Sequence, residues 1–374
     1  MTRRLLLLPL LIAVAVLAAA PAAWATLQTD RATFRSEAAK GIAAAHTYWW
    51  DSRHSWYDSF LNDQRQYPQA TVWSIVPLFE AIDARAIGSP STKNKAAVKY
   101  FANKAERYWN GNVKPHGGYT PYPGDRNTSE QIWFDDNGWW GIAFVDAYTA
   151  THDKRYLTDA ARALDFIANR GWDKKHGGVW WETHRTRKAG EALASGSALA
   201  AMLYDKTGNT SFLKTARKFI SWGNKHFIGQ NGLYRRSDTD STPMGYVEGP
   251  MIGANEVLCL KAGDTAACAR AEFVATESLQ RFGQDVNHGP QFDTIYLRWM
   301  LDYYRATGDA RWYNLAYHNG LRALQNARGK HGLFLRAWNG SSITHYQAQP
   351  NMLQTHAAAI ALFAWLGATP VPTG

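Results

Sequence analysis

Apolar residues recur three and four positions apart along most of the chain, which is the spacing of one face of an α-helix. In residues 156–168 the positions in phase are Tyr156, Leu157, Ala160, Ala163, Leu164 and Ile167. The same spacing occurs in residues 212–220, 273–282 and 313–324. All these segments carry charged residues on their other faces, which predicts helices that lie at the surface.

Other segments are apolar or small on every side, which predicts buried helices. They are residues 141–150, 192–204, 253–260 and 352–366. Surface and buried segments alternate along the chain, so each successive pair is predicted to form a helical hairpin. Strand signals are confined to short runs such as residues 178–181.

Two kinds of chain break separate these segments and repeat every 45 to 65 residues or so, roughly the period of a repeated supersecondary unit. Short turns such as Thr207-Gly208-Asn209 alternate with longer, glycine-rich loops such as the one at Gly177-Gly178. The pattern predicts about twelve helices in about six hairpins. The surface helices begin near Arg31, Thr92, Lys154, Thr210, Thr265 and Ala310, and the buried ones near Ala70, Asp136, Ala189, Gly249, Gln291 and Asn351.

The predicted fold class is therefore all-α. Hairpins that must bury their inner faces close into an (α/α)6 barrel, and an open helical solenoid is the alternative. The alternation places the short turns at one end of the barrel and the long loops at the other, where loops on a rigid scaffold form the cleft of a site. We assign residues 26–374 to one such domain, because no linker divides them.

Residues 1–25 have the features of a signal peptide. Arg3 and Arg4 precede an apolar run, and Ala23-Trp24-Ala25 matches the small-residue motif at which such peptides are cleaved. We therefore expect a secreted protein, extracellular or in the cell envelope, without stable membrane insertion; an uncleaved anchor is the alternative. In an exported protein Cys259 and Cys268 are candidates for a disulfide, with two free thiols as the alternative.

The net charge of +10 comes from scattered basic residues, which argues against nucleic acid as a partner. An anionic polymer remains open as a substrate or neighbour. No metal-site spacing and no cofactor motif occurs in the sequence, so we expect neither a metal nor a cofactor. The chain contains 17 tryptophans, and several flank acidic residues in the long loops. Aromatic faces stack on the apolar faces of sugar rings, so this composition favours a carbohydrate ligand.

The candidate catalytic residues are two adjacent aspartates, Asp135 and Asp136, inside the aromatic run 132–140. Aspartate before a helix is usually an N-cap, but the surrounding aromatic residues favour a sugar-cleaving site. Two close carboxyls do not both ionise easily, so one stays protonated as an acid. Neighbouring residues converge in the first turn of a helix, which fits the short separation of about 5–5.5 Å found in retaining glycosidases.

The run Trp133-Phe134-Asp135-Asp136-Asn137-Gly138-Trp139-Trp140 resembles the signature of glycoside hydrolase family 76, and residues 178–181, 249–255 and 291–292 agree with that family in order and type. The resemblance implies an (α/α)6 barrel that acts as an endo-α-1,6-mannanase, with Asp135 as nucleophile and Asp136 as general acid/base. The candidate substrate-binding residues are Trp133, Asn137, Trp139, Trp180, Trp181, Tyr246 and Glu248. The run 246–249 departs from the amide-bearing run expected of the family, which leaves the tolerated glycan open.

We therefore predict a secreted, monomeric glycosidase that cleaves α-1,6-mannosidic linkages in mannan or lipomannan backbones by a retaining mechanism. The alternatives are a cell-wall transglycosidase, an inverting hydrolase with Glu248 as its second acid, and a non-catalytic glycan-binding protein. A sugar 2-epimerase is a further alternative on the same fold, and it would need a pair of catalytic histidines. The candidates for that pair are His116, His176, His184, His288 and His356.

Overall fold

A computed structural model describes residues 8–61, 69–129, 131–343 and 351–373, with side chains from Ala25 onward. Within these residues, twelve α-helices alternate between an outer and an inner layer. The outer helices are α1 (Leu8–Trp49), α3 (Thr92–Ala105), α5 (Arg155–Phe166), α7 (Thr210–His226), α9 (Thr265–Phe282) and α11 (Ala310–Asn326). The inner helices are α2 (Val72–Gly88), α4 (Phe134–Thr151), α6 (Gly190–Thr207), α8 (Gly245–Ala262), α10 (Pro290–Thr307) and α12 (Leu353–Ala368). The prediction of six helical hairpins is confirmed.

The inner helices form a closed ring. Each packs against the next, and α12 packs against α2, which excludes the open solenoid. Burial follows the two layers, as the hydrophobic pattern predicts. Every residue from Leu353 to Gly367 in α12 is buried. Helix α7 buries only one stripe, which consists of Ala216, Phe219, Ile220 and Gly223.

Three of the short turns share one geometry. Gly208, Gly263 and Gly308 follow α6, α8 and α10 in the left-handed conformation, with φ of 68°, 65° and 74°. Glycine adopts this conformation without the steric cost of a Cβ atom. The next residue is Asn or Asp, and its side chain accepts a hydrogen bond from the first turn of the following outer helix. These turns lie at one end of the barrel, and the inner helices begin at the other.

Helix α8 begins at Gly245, so the predicted start near Gly249 is wrong. Gly249 and Gly253 are packing positions against α10. A Cβ atom on Gly253 would lie 2.1 Å from Cε3 of Trp299, and one on Gly249 would lie 3.0 Å from the Cα atom of Tyr296. The helix also accommodates a proline within it. The start of α8, which the sequence placed in a loop, therefore belongs to an inner helix.

Helix α1 begins at Leu8 rather than near Arg31, so helical backbone runs through the predicted cleavage site at Ala25. Arg3 and Arg4 lie outside the described residues. Within the described part of the chain, no helix is both long and apolar enough to cross a membrane.

Short strands occur in two of the long loops. Strand β1 (Trp50–Asp51) pairs with β2 (Trp56–Tyr57), and β3 (Trp109–Asn110) pairs with β4 (Gly118–Tyr119); both pairs are antiparallel. The predicted strand run 178–181 forms only isolated bridges, Val179 with Trp172 and Trp180 with Lys188.

Candidate active site

The two aspartates lie in the first turn of α4, at the end of the barrel that carries the long loops. The backbone N–H of Phe134 donates to the carbonyl of Trp181 at 2.9 Å, and the N–H of Thr183 donates to the carbonyl of Ile132 at 3.0 Å. The loop before α6 thus fixes the start of α4. A helix start presents unpaired N–H groups and the positive end of the helix dipole, so it favours carboxylates.

Asp135 is a buried carboxylate with one strong partner. It is 6% exposed, and its Oδ2 atom accepts a hydrogen bond from the hydroxyl of Tyr246 at 2.6 Å. Its Oδ1 atom is buried without a partner among the described residues. Burial raises the pKa of Asp135, while the Tyr246 hydroxyl and, more weakly, the charge of Arg187 oppose that rise. Its charged form is therefore the better stabilised of the pair.

Asp136 is half-buried and differs from its neighbour in having no hydroxyl donor among the contacts of the described residues. Burial, followed by the negative charge of Asp135, raises the pKa of Asp136 well above its ordinary value. Two neighbouring carboxyls titrate as a pair and ionise in sequence. The geometry favours Asp135 as the first to ionise, so Asp136 keeps its proton to higher pH.

A third carboxyl, Glu191, reaches the same site, and the sequence interpretation missed it. It lies in the first turn of α6, and its Oε1 atom accepts a hydrogen bond from Nε of Arg236 at 3.2 Å. Burial and the negative charge of Asp135 raise the pKa of Glu191 to about 7. The sequence repeat could have identified Glu191, because α4, α6, α8 and α10 all carry an acidic residue in the first turn.

Tyr246 lies at the centre of a group of aromatic side chains from three other inner helices. Its ring centroid is 5.5 Å from those of Trp73 and Phe292, both half-buried, which the sequence interpretation did not include. Trp139 packs 5.3 Å from it and donates from Nε1 to the Tyr246 hydroxyl at 3.3 Å. Because Trp139 is 2% exposed, it supports Tyr246 from below and presents almost no surface to a sugar.

The other three predicted tryptophans are half-buried on the loops around the pair. Trp133 and Trp181 meet edge to face at 6.3 Å, and the guanidinium of Arg187 covers one face of the Trp181 ring at 4.2 Å. Trp180 lies next to Lys188, whose ammonium is 5.3 Å from its ring. Trp133 and Trp181 thus flank the start of α4, while Trp180 faces the neighbouring loop surface.

Asn137 and Glu248 lie in the interior, where the sequence placed both in contact with substrate. Asn137 is fully buried; its amide pairs with the N–H and carbonyl of Tyr119 and donates to the carbonyl of Trp133. Glu248 is also fully buried and accepts the N–H of Tyr234 at 3.0 Å, and burial raises its pKa well above the ordinary value. In this structure both side chains hold loops on the barrel and expose no surface to a glycan.

The other candidates named from the sequence are histidine and cysteine residues. His356, one of the epimerase candidates, is buried, with Nδ1 accepting from the N–H of Phe334 and Nε2 facing the carbonyl of Gly41. Cys259 and Cys268 are joined by a disulfide near the short turn between α8 and α9. Over the described ranges, no group of three or more His, Cys, Asp or Glu residues is arranged to hold a metal ion.

Comparison with known proteins agrees with this geometry. The model of glycosyl hydrolase family 76 matches residues 33–245, more than half of the chain. A GH76 α-mannanase of Bacteroides thetaiotaomicron superimposes with a TM-score of 0.79 at 19% identity, over 88% of this chain and 94% of that one. An inactive variant of an α-1,6-mannanase from Salegentibacter, in complex with α-1,6-mannotriose, gives a TM-score of 0.71 at 16% identity, over 89% and 99% of the two chains.

A curated relative, the meiotically up-regulated gene 191 protein of Schizosaccharomyces pombe, is 24% identical over 175 residues. The match covers 43% of this chain and only 38% of that protein's length. It therefore adds little about activity. The match to the family model over the greater part of the barrel is the stronger finding, and it establishes that the chain belongs to glycosyl hydrolase family 76 and is a glycoside hydrolase.

Proposed function

We propose that this glycoside hydrolase cleaves α-1,6-mannosidic linkages within mannan or lipomannan backbones, with retention of configuration. The observation that carries the mechanism is the 2.6 Å hydrogen bond from the Tyr246 hydroxyl to Asp135, beside a second carboxyl, Asp136, whose pKa is raised well above its ordinary value. The two groups thereby favour opposite protonation states, which a nucleophile and an acid require. The Salegentibacter enzyme with its bound α-1,6-mannotriose supports the choice of linkage.

In the first step, a carboxylate oxygen of Asp135 attacks the anomeric carbon while Asp136 gives its proton to the glycosidic oxygen. The bond between that carbon and oxygen breaks, and a glycosyl ester forms on Asp135. Asp136, now a carboxylate, removes a proton from water, and the resulting hydroxide attacks the anomeric carbon. The ester bond breaks, and both residues return to their starting states.

The proposal is tested by product analysis with linear α-1,6-mannan. The wild-type protein should release short manno-oligosaccharides, and Asp135→Asn and Asp136→Asn should each lose nearly all turnover, on the order of 10³-fold or more. Asp165 is an exposed carboxyl on α5. The variant Asp165→Asn is the matched control and should retain full activity. Proton NMR of the first products should show the α-anomer. Near-full activity in either active-site variant would contradict the two-carboxylate mechanism.

Other outcomes of the same experiment select among the alternatives. Products longer than the starting chains would indicate transglycosylation, and a first product with the β-anomer would indicate an inverting reaction. Binding of mannan without cleavage by the wild-type protein would indicate a glycan-binding protein.

We further propose that the protein is exported, with cleavage after Ala25, and acts as a monomer. The charged and apolar order of residues 1–25 supports export. N-terminal sequencing of the protein recovered outside the cytoplasm should begin at Thr26, and its mass in solution should be that of one chain. An intact N-terminus on the exported protein would favour an uncleaved anchor.

A further inference from the structure

One exposed face of α7 is basic along its whole length. Lys214, Arg217, Lys218 and Lys225 are exposed and follow a helical spacing of three, four and seven positions, which places them on one side. No acidic residue occurs in α7. Like charges four positions apart repel one another on a helix, so this face carries an electrostatic cost that the helix itself does not offset.

The loop before α6 extends this face toward the cleft. Lys174 and Lys175 are exposed in it, next to Trp172. The ammonium of Lys218 lies 4.0 Å from the Trp172 ring, and Trp222 meets the same ring edge to face at 6.3 Å. Burial and the neighbouring charge of Lys174 lower the pKa of Lys218, as expected where positive charges are crowded.

We refer to Lys174, Lys175, Lys214, Arg217, Lys218 and Lys225 as the basic surface. Nearby acidic groups neutralise little of it. Asp173 forms its ion pair with Lys188 at 3.0 Å, and Asp264 lies 4.0 Å from Arg217. Over the part of the chain that the structure describes, the five lysines of the basic surface form no ion pair with a carboxylate.

The basic surface adjoins the active-site cleft at the end formed by Lys174, Lys175 and Lys225. From there it runs along α7 to Arg217, which lies beside Asp264 of a short turn at the opposite end of the barrel. The ammonium of Lys188 lies 5.3 Å from the ring of Trp180, the neighbour of Trp181 in the sequence, and 5.6 Å from that of Trp222 in α7, so it connects the loop at the edge of the site to α7. We propose that the basic surface binds an anionic glycan, a sugar chain bearing phosphate-type groups, in continuation of the cleft. The identification of this glycan as a mannan rests on the proposed function. The binding of a polyanion to the basic surface does not rest on it.

A glycan fits this surface better than a lipid bilayer does. A helix that binds at a bilayer surface inserts large apolar side chains between the lipids. The exposed large apolar residues of the described chain lie elsewhere; they are Tyr48, Tyr100, Leu260 and Phe273. Lysine ammonium groups act as point charges for phosphate, and the indole rings between them offer faces for sugar rings.

The test compares phosphomannan with neutral mannan, by titration calorimetry in an Asp135→Asn background that prevents cleavage. One variant carries Lys214→Gln, Lys218→Gln and Lys225→Gln. The matched control carries Lys93→Gln, Lys95→Gln and Lys99→Gln on α3, another helix without acidic residues, so its net charge is the same. The α7 variant should bind phosphomannan about tenfold more weakly, with a reduced salt dependence, and neutral mannan unchanged.

Equal loss in both triple variants would overturn the proposal, because bulk charge would then explain the binding. An unchanged affinity in the α7 variant would overturn it too. Lysine-dependent binding to phosphatidylglycerol vesicles that exceeds binding to phosphomannan would assign the surface to a membrane instead. With Asp135 intact, the α7 variant should cleave neutral mannan at the wild-type rate. A wild-type protein that binds phosphomannan through these lysines but cleaves no mannan would refute the proposed function alone.

Discussion

At the residue scale, the chemistry depends on two adjacent carboxyls that differ in their neighbours. Asp135 accepts the hydroxyl of Tyr246, while Asp136 has the charge of Asp135 beside it. Tyr246 in turn is held by Trp139, Trp73 and Phe292. Because one pKa unit corresponds to about 1.4 kcal/mol, modest changes in these contacts should move the pH range in which the enzyme works.

Replacement of Tyr246 by Phe removes the donor to Asp135 and keeps the ring. The charged form of Asp135 then loses a stabilising hydrogen bond, so its pKa should rise. Attack requires the ionised carboxylate, so the acidic limb of the kcat/KM profile should move to higher pH, with a loss at neutral pH of roughly 10-fold or more. Tyr234→Phe removes another buried hydroxyl, bonded to Asn224 and Arg270, and is the control. An acidic limb that stays in place in Tyr246→Phe would argue against the assigned role.

Replacement of Glu191 by Gln should change the pH profile near neutrality and leave the acidic limb in place. The pKa of Glu191 is raised to about 7 by burial and by the charge of Asp135, so Glu191 is still protonated where Asp135 ionises and gains its own charge only at higher pH. Glutamine cannot ionise, so the pH dependence near pH 7 that comes from Glu191 should disappear in the variant. Glu248→Gln changes an equally placed first-turn acid of the next inner helix and should leave the profile where it is. The pH dependence of kcat/KM measures both. A change of equal size in the two variants would mean that the effect is not specific to Glu191.

At the element scale, closely packed inner helices set the distances in the site. A Cβ atom on Gly138 of α4 would lie 2.3 Å from the Ser195 hydroxyl of α6, and Gly253 of α8 meets Trp299 of α10 in the same way. Glycine at these positions lets the backbones approach. The carboxyls at the starts of α4 and α6 and the hydroxyl of Tyr246 on α8 are thereby brought into one site.

Gly253→Ala should therefore lower the free energy of unfolding by about 1–3 kcal/mol, because the added methyl group overlaps a buried indole. Urea unfolding followed by tryptophan fluorescence measures the change. Gly111→Ala is the control, since its Cβ atom would have only Trp109 Nε1 nearby, at 3.7 Å, and it should change stability by less than about 0.5 kcal/mol. Equal stability of the two variants would contradict the packing argument.

At the scale of the whole molecule, buried charges link helices across the ring. Arg298 of α10 is 2% exposed and pairs with Glu80 of α2 at 2.6 Å and with Asp146 of α4 at 2.7 Å. Asp83 of α2 is fully buried beside them, and neither of its oxygens has a hydrogen-bond partner among the described residues. Burial and the charges of Asp146 and Glu80 raise the pKa of Asp83 well above its ordinary 3.8.

This shift makes stability dependent on pH. Above pH 3.8 the unfolded chain releases the Asp83 proton while the folded chain keeps it, so the stability contribution is lost as pH rises toward the folded pKa. Asp83→Asn removes that loss. Relative to wild type, the variant should gain about 1–3 kcal/mol in unfolding free energy between about pH 5 and pH 7.5. Asp293→Asn, which weakens bonds to the N–H groups of His288 and Gly289, should destabilise instead. If the unfolding free energy of Asp83→Asn depended on pH as steeply as that of the wild-type protein, Asp83 would not titrate in this range.

The periodicity of the sequence predicted most of the fold, because a helix buried on one face and a helix buried on all faces differ in the spacing of their apolar residues. It identified the two layers, the short turns and the Asp pair at the start of α4. It placed the start of α8 near Gly249, whereas the helix begins at Gly245 and Gly249 packs against Tyr296 and Trp299 of α10. Local spacing carries no information about a contact between helices that are distant in sequence.

By itself, the sequence determined the all-α class, the alternation of inner and outer helices, the family, and the aspartate pair, since all of these are local patterns. Only the tertiary structure decided which residues share the site. Glu191 and Tyr246 meet Asp135 because the ring of inner helices closes, while Asn137 and Glu248, equally suggestive in the sequence, are buried in the interior. The charge state of each carboxyl depends on burial and on partners from other hairpins, which are fixed only when the barrel forms.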